Sequence, residues 1–126
     1  MKEEDREIWV GKSRFYFGED GIMYVEIAGK QDVTEALAMR DAYLKLLNKV
    51  DGKVKIFVNS SEGKQPTNEA RKIFSELTNH EQCGKVAVLC LNPVARVIAS
   101  FVFGVSKNKN MKIFKTKEEA LAWLNE

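Results

Sequence analysis

Few residues of this chain are of types that do covalent or acid–base chemistry, and they are scattered. The single histidine, His80, lies at the far end of an expected helix, and the two cysteines, Cys83 and Cys90, do not form a CxxC pair. One imidazole, two dispersed thiols and no carboxylate cluster at ligand spacing make no zinc site. No Ser-His-Asp or Cys-His set assembles around His80. Glycine-rich phosphate loops of the GxGxxG or GxxxxGK(S/T) kind are absent. The residues therefore nominate no catalytic group, no metal and no cofactor, and the chain reads as a non-enzyme.

What does concentrate is hydrogen-bonding chemistry. Asn59-Ser60-Ser61-Glu62-Gly63-Lys64-Gln65-Pro66 stands between an apolar strand, Val54-Lys55-Ile56-Phe57-Val58, and a helix opening at Thr67. Where a buried strand feeds a helix start, backbone N–H groups are free and the helix dipole is positive. Ligands of open α/β sheets collect at that edge. A polar loop holding the hydroxyls of Ser60, Ser61 and Thr67 suits binding or modification there, with Thr67 and Ser61 as the candidate phosphoacceptors. The plainer roles are helix cap for Thr67 and turn residues for Ser60 and Ser61.

Arg71 and Arg96 fall in the first turns of their expected helices, although arginine is favoured on dipole grounds at the opposite end. An anion held between helix N–H groups and guanidinium forks would explain the pair; ion pairs to Glu69 or Glu62 would do so without one. The candidate ligand- or partner-binding set is thus Ser60, Ser61, Thr67, Asn68, Arg71, Asn92 and Arg96.

The elements that must position this set follow from periodicity. Residues 8–17 read as one aromatic and branched strand, Gly18-Glu19-Asp20-Gly21 as a turn, and 22–28 as a second strand completing a hairpin. A helix follows over 34–48, with Ala36, Leu37, Tyr43, Leu44 and Leu47 at helical spacing. Strand 54–58 leads to a helix over 67–80, striped by Ala70, Ile73, Phe74 and Leu77. Strand 86–91 leads to a helix over 92–103 with Pro93 at its first position. A short strand at 111–114 precedes the capping box Thr116-Lys117-Glu118-Glu119 and a closing helix. The order β-β-α-β-α-β-α-β-α predicts a five-stranded, mostly parallel sheet with an antiparallel first strand.

The length of 126 residues fits one domain with its own core, led by a charged stretch over 1–7 expected to fray. Twenty basic against 18 acidic residues, a formal net charge of +2, give no basic face for nucleic acid. No apolar run reaches the length of a membrane span, and the charged start carries no secretory pattern. Two unpaired cysteines suit a reduced, cytoplasmic setting, with Cys90 in the core and Cys83 in a loop. The lysines at 107, 109, 112, 115 and 117 suit a solvated edge strand.

Three stretches resemble the STAS domain of SpoIIAA-like anti-anti-sigma factors. Val25-Glu26-Ile27-Ala28-Gly29-Lys30-Gln31-Asp32 is similar to that family's second strand and its exit. Leu91-Asn92-Pro93-Val94-Ala95-Arg96 is similar to the turn ahead of its third helix. Phe114-Lys115-Thr116-Lys117-Glu118-Glu119-Ala120-Leu121-Ala122-Trp123-Leu124 resembles its closing strand and helix, and the Ala-Trp-Leu ending is more typical of a bacterial and archaeal branch than of true sigma regulators. The resemblance implies sequentially ordered strands with four helices mainly on one sheet face, and a regulatory module that binds a partner. In that family a Ser in an Asp-Ser-Ser-Gly turn opening the second helix is phosphorylated. The matching start here is Pro66-Thr67-Asn68-Glu69, without that Ser, while Ser60-Ser61 lies earlier, at the strand end.

Alternation puts Val54, Ile56 and Val58 toward the helices and leaves Lys55, Phe57, Tyr24 and Glu26 on the opposite face. A face carrying aromatic rings beside charges can pack on a second copy, so a homodimer is expected. The functional expectation is a STAS-type binding module that takes a small anionic or lipid-like ligand, or a protein partner, at the strand-to-helix rim. The rival readings are a phosphorylation-switched, anti-sigma-antagonist-like protein and a structural homodimer without ligand.

Overall fold

The computed structural model describes residues 5–93, 96 and 110–126. Among the described residues, nine elements run in the order β1 (Glu7–Val10), β2 (Ser13–Phe17), β3 (Met23–Gly29), α1 (Val33–Leu47), β4 (Val54–Gly63), α2 (Asn68–Thr78), β5 (Cys83–Leu89), β6 (Met111–Phe114) and α3 (Lys117–Leu124). The strands form one sheet in sequential order, β1-β2-β3-β4-β5-β6. The pairs β1–β2 and β2–β3 are antiparallel, and the remaining three are parallel.

The sheet has six strands, not five, because 8–17 is a hairpin. Val10 pairs with Ser13 across a two-residue loop, and Gly11 takes a φ of 58°. A positive φ at the first central position suits glycine and matches the twist of a tight hairpin. The polar stretch Gly11-Lys12-Ser13-Arg14 interrupts the apolar run, and the inward positions change phase there, from Ile8 and Val10 to Ser13, Phe15 and Phe17. The strand start also captures part of the charged lead. Phe17 N–H donates to the Arg6 carbonyl (2.9 Å), and Lys49 Nζ donates to the Asp5 carbonyl (2.9 Å), so from Asp5 on the chain is bonded into the fold.

The third of the four expected helices, over 92–103, lies mostly outside the described residues, as do Lys107 and Lys109; Pro93 and Arg96 are helical, with Arg96 N–H donating to the Asn92 carbonyl at 3.0 Å. At the far edge of the sheet, β6 exposes Lys112, in keeping with a guarded edge strand.

Sequential parallel strands joined by right-handed crossovers place their helices on one side. That side carries α1 and α2 over a core of Phe15, Met23, Val25, Met39, Leu46 and Ile56. The closing helix α3 is not a crossover and is free of that constraint. It packs on the opposite face, where Ala120 and Leu124 meet Phe57, Ala87 and Leu89. Helices are expected mainly on one face, and two of the three described helices lie on one side while the third covers the other. Phe57 is only 3% exposed as a result. Tyr24 is buried beside it, stacked on Tyr16 with ring centroids 5.1 Å apart, and the Arg14 guanidinium lies 3.9 Å over Tyr16. The aromatic face that suggested a second copy is thus covered largely by the chain itself.

Each described helix has a side-chain cap. Asp32, Thr67 and Thr116 accept from the backbone N–H groups of Glu35, Ala70 and Glu119 at 2.9, 3.2 and 3.2 Å. Thr116→Ala is expected to destabilise the fold by about 1 kcal/mol, read as a lower urea midpoint at unchanged slope.

Candidate functional site

The second helix is packed loosely. Of its eleven residues only Ala70 and Ser75 are buried, whereas α1 buries Ala36, Met39, Ala42, Tyr43, Leu46 and Leu47. Phe74 and Leu77, on the apolar stripe of α2, are only partly buried against the core and line a cavity of about 560 Å³. Its floor is made of alternate residues of three parallel strands, Ile27 of β3, Ile56 and Val58 of β4, and Val86 and Val88 of β5. The period of two along each strand brings these onto one face. Met39 and Tyr43 of α1 form the side wall. A volume of this size, apolar inside with a few polar groups, is that of a small-molecule site.

Polar groups gather where the parallel strands end: Gln31, Ser60, Lys64, Gln65 and Asn92 all line that region. Strand β4 runs on to Gly63, so the first half of the expected loop is strand. Its register with β3 shifts between Glu26 and Ala28, where Glu26 pairs with Asn59 but Ala28 with Glu62. β4 therefore carries one extra residue, a bulge of the kind that re-aims side chains beside functional sites. Ser60 Oγ donates to the Leu89 carbonyl at 3.0 Å, tying β4 to β5 at the rim. Gln31 is 7% exposed and its Nε2 donates to the Lys64 carbonyl. The Gln31 carbonyl accepts from Thr67 N–H at 3.1 Å, and Lys64 N–H donates to the Gly29 carbonyl at 2.9 Å. These bonds hold the connection into α2 against the exit of β3.

At the deeper end, Tyr43 donates its hydroxyl to the Leu77 carbonyl at 3.1 Å. Burial, reinforced by the neighbouring Cys83, pushes the Tyr43 phenol well above its ordinary value. Cys83 is itself buried rather than in an open loop, because it begins β5 and pairs with Val54. Cys90 is 1% exposed, as a core position should be.

The seven nominated residues do not converge. Ser60 and Asn92 line the cavity. Ser61 and Thr67 are exposed; the Ser61 N–H donates to Asn59 Oδ1 at 3.0 Å, and the Thr67 hydroxyl caps α2. Asn68 accepts from Arg71 Nη1 at 3.4 Å, and Arg71 Nε is buried without a partner. Arg96 donates from Nε to the Cys90 carbonyl (3.1 Å) and from Nη2 to the Leu91 carbonyl (3.3 Å), closing the end of the β5 segment. Neither arginine is among the described residues lining the cavity. The apolar lining and Gln31 were missed from sequence. Their only trace is the regular alternation of the strands and the position of Gln31 just ahead of the Asp32 cap.

A family model described as a domain of unknown function, DUF7793, matches residues 16–126. The chain belongs to that family. Its match begins within β2 and takes in every described residue that lines the cavity except Phe15. A comparison with curated proteins finds no match. Among solved structures, the chain is similar to a DUF3478-family protein with a SpoIIAA-like fold from Shewanella loihica PV-4, at 15% identity over 89% of this chain and 91% of that one, with a TM-score of 0.68. It is also similar to the anti-sigma factor antagonist SpoIIAA in its unphosphorylated form, at 16% identity over 90% of this chain and 97% of that one, with a TM-score of 0.62. This DUF7793 domain thus has the SpoIIAA-like fold that its sequence resemblance implied. Among the described residues, no helix is long and apolar enough to cross a membrane.

Proposed function

We propose that the chain is a non-enzymatic binding module whose ligand is a small, largely apolar molecule held in the cavity between α2 and the sheet. The observation that carries this reading is the cavity itself, about 560 Å³ and lined by Phe74 and Leu77 of the loosely packed α2. Ser60 and Asn92 stand at its mouth, and Thr67, Asn68 and Arg71 belong to the helix start whose placement depends on how α2 is supported. Occupancy would brace α2 against β5 and so alter the surface that a partner meets, which is how a small binding module becomes a regulator.

Native mass spectrometry of freshly purified protein tests the reading, since it reports co-purified ligand and the number of chains together. The expected result is an added small mass, or, after stripping, a raised melting midpoint with apolar compounds. Saturation at a hundred times Kd is worth about 2.7 kcal/mol. A bare chain that gains no thermal stability from any of them would overturn it.

A second reading, a phosphorylation switch of the kind suggested by SpoIIAA, is supported by the exposure of Ser61 and Thr67. It predicts kinase-dependent modification at one of them; the capping bond of the Thr67 hydroxyl makes Ser61 the freer acceptor.

A further inference from the structure

The cavity is asymmetric in charge as well as in polarity. Lys64 is the only charged residue among the described residues that line it. Glu26 and Asp32, beside Val25, Ile27 and Gln31, lie outside the lining. Glu62, two residues before Lys64, is exposed and outside it too. The bulge in β4 is the reason. Ile56, Val58 and Ser60 alternate onto the cavity face, and in an unbroken strand Glu62 would follow them. The extra residue opposite Ile27 brings Gly63 there instead. Any larger residue at Gly63 would have to displace its neighbours, since a Cβ would lie 2.8 Å from Gln31 Nε2 and 2.9 Å from Ile27 Cγ2.

A backbone irregularity therefore excludes a carboxylate from a site that keeps a lysine, with the amides of Gln31, Gln65 and Asn92 around it. The opposite end offers Met39, Met111, Val86 and Tyr43, whose hydroxyl is already spent on the Leu77 carbonyl. From Ile56 to Ser60 the strand advances about 13 Å, a long apolar channel with a cationic, hydrogen-bonding mouth.

We propose that the cavity takes a single-chain amphiphile with an anionic head, a medium- to long-chain carboxylate, with its tail along the sheet beneath α2 and its head at Lys64. This rests on the reading of the cavity as a ligand site and adds the chemistry and the orientation of the ligand.

The chain's four methionines supply the probe. Met39 and Met111 line the cavity, whereas Met23 is fully buried in the core outside that lining and serves as reference. Protein labelled with 13C at the methionine methyls is titrated with dodecanoate, dodecyltrimethylammonium and 1-dodecanol, each below its micellar concentration. Dodecanoate is expected to move the Met39 and Met111 methyl signals well ahead of Met23. It should also bind more tightly than the ammonium, by up to about fivefold, the upper range for one exposed ion pair, with an advantage that shrinks as salt is raised. Lys64→Glu, at an exposed position, should reverse the order of the two ions while leaving the methyl spectrum of the free protein intact. If the ammonium or the alcohol binds the parent as tightly as dodecanoate, or the variant keeps the parent's order, the head-group assignment fails while the cavity reading stands. If none of the three moves Met39 or Met111, both fail.

Discussion

Phe57→Ala is expected to destabilise the protein by about 3–5 kcal/mol, a fall in melting midpoint of roughly 10 °C or more for a domain of this size. Phe57 sits at the centre of β4, on the face away from α1 and α2, where an unpartnered aromatic would be exposed. It is instead 3% exposed, packed in one cluster with Ile22, Tyr24, Ala120 and Leu124, its ring centroid 5.7 Å from that of Tyr24. Truncation would leave a void beneath α3 that cannot collapse, because the strand holds its backbone on both sides through β3 and β5. The measurement is urea unfolding of parent and variant. A loss under about 1 kcal/mol would mean that α3 does not cover this face in solution, and that the ring is there for a second copy of the chain. Native mass spectrometry would then show two chains in the parent and one in the variant.

Alkaline pH is expected to unfold the protein, with Tyr43 as the main sensor. Its phenol is raised from an ordinary value of 10.0 because burial penalises the phenolate. Above about pH 10 the unfolded chain releases this proton while the folded chain keeps it, so the folded state binds more protons and stability must fall as pH rises. The contribution is fully present below the unfolded value and is removed by about 1.4 kcal/mol for each further pH unit until the folded group titrates. Tyr24 shifts in the same direction, through burial first and then its 2.6 Å hydrogen bond to Asp20. Tyr43→Phe separates the two effects. At neutral pH it loses the bond to the Leu77 carbonyl, worth about 1 kcal/mol, and is the weaker protein. At about pH 11–12 it no longer carries the penalty, and its stability is expected to meet or exceed that of the parent. Stability curves that stay parallel from neutral to alkaline pH would show that Tyr43 reaches water, which would open the deep end of the cavity.

Much of the fold is legible because its signals are local. Thr67 and Thr116 cap α2 and α3 as read, since a hydroxyl three residues ahead of a free N–H satisfies it wherever the helix lies. Val54, Ile56 and Val58 oppose Phe57 as alternation requires, because pleating leaves no other choice. Other features are not local. Gly11-Lys12 is a turn signal inside the stretch 8–17, but that it closes a hairpin and adds a sixth strand is decided by the pairing of Val10 with Ser13. The bulge at Ser60-Ser61 depends on how many residues β3 sets against β4, which no window on β4 alone contains. The nominated arginines look alike in sequence, yet Arg96 is committed to the Cys90 and Leu91 carbonyls while Arg71 stays beside Asn68.

By itself the sequence determined the order and type of most elements, the SpoIIAA-like arrangement they assemble into, and the faces their residues share. Hydrophobic period, turn chemistry and caps act within a few residues of where they are written. Only the tertiary structure decided that α3 covers Phe57 from the far side, that Glu62 is turned out and Gly63 in, and that the partly buried α2 borders an apolar cavity. Those outcomes depend on distances between segments far apart in the chain, where the fit of one packed surface on another, and not the pattern of either, sets what is filled and what is left open.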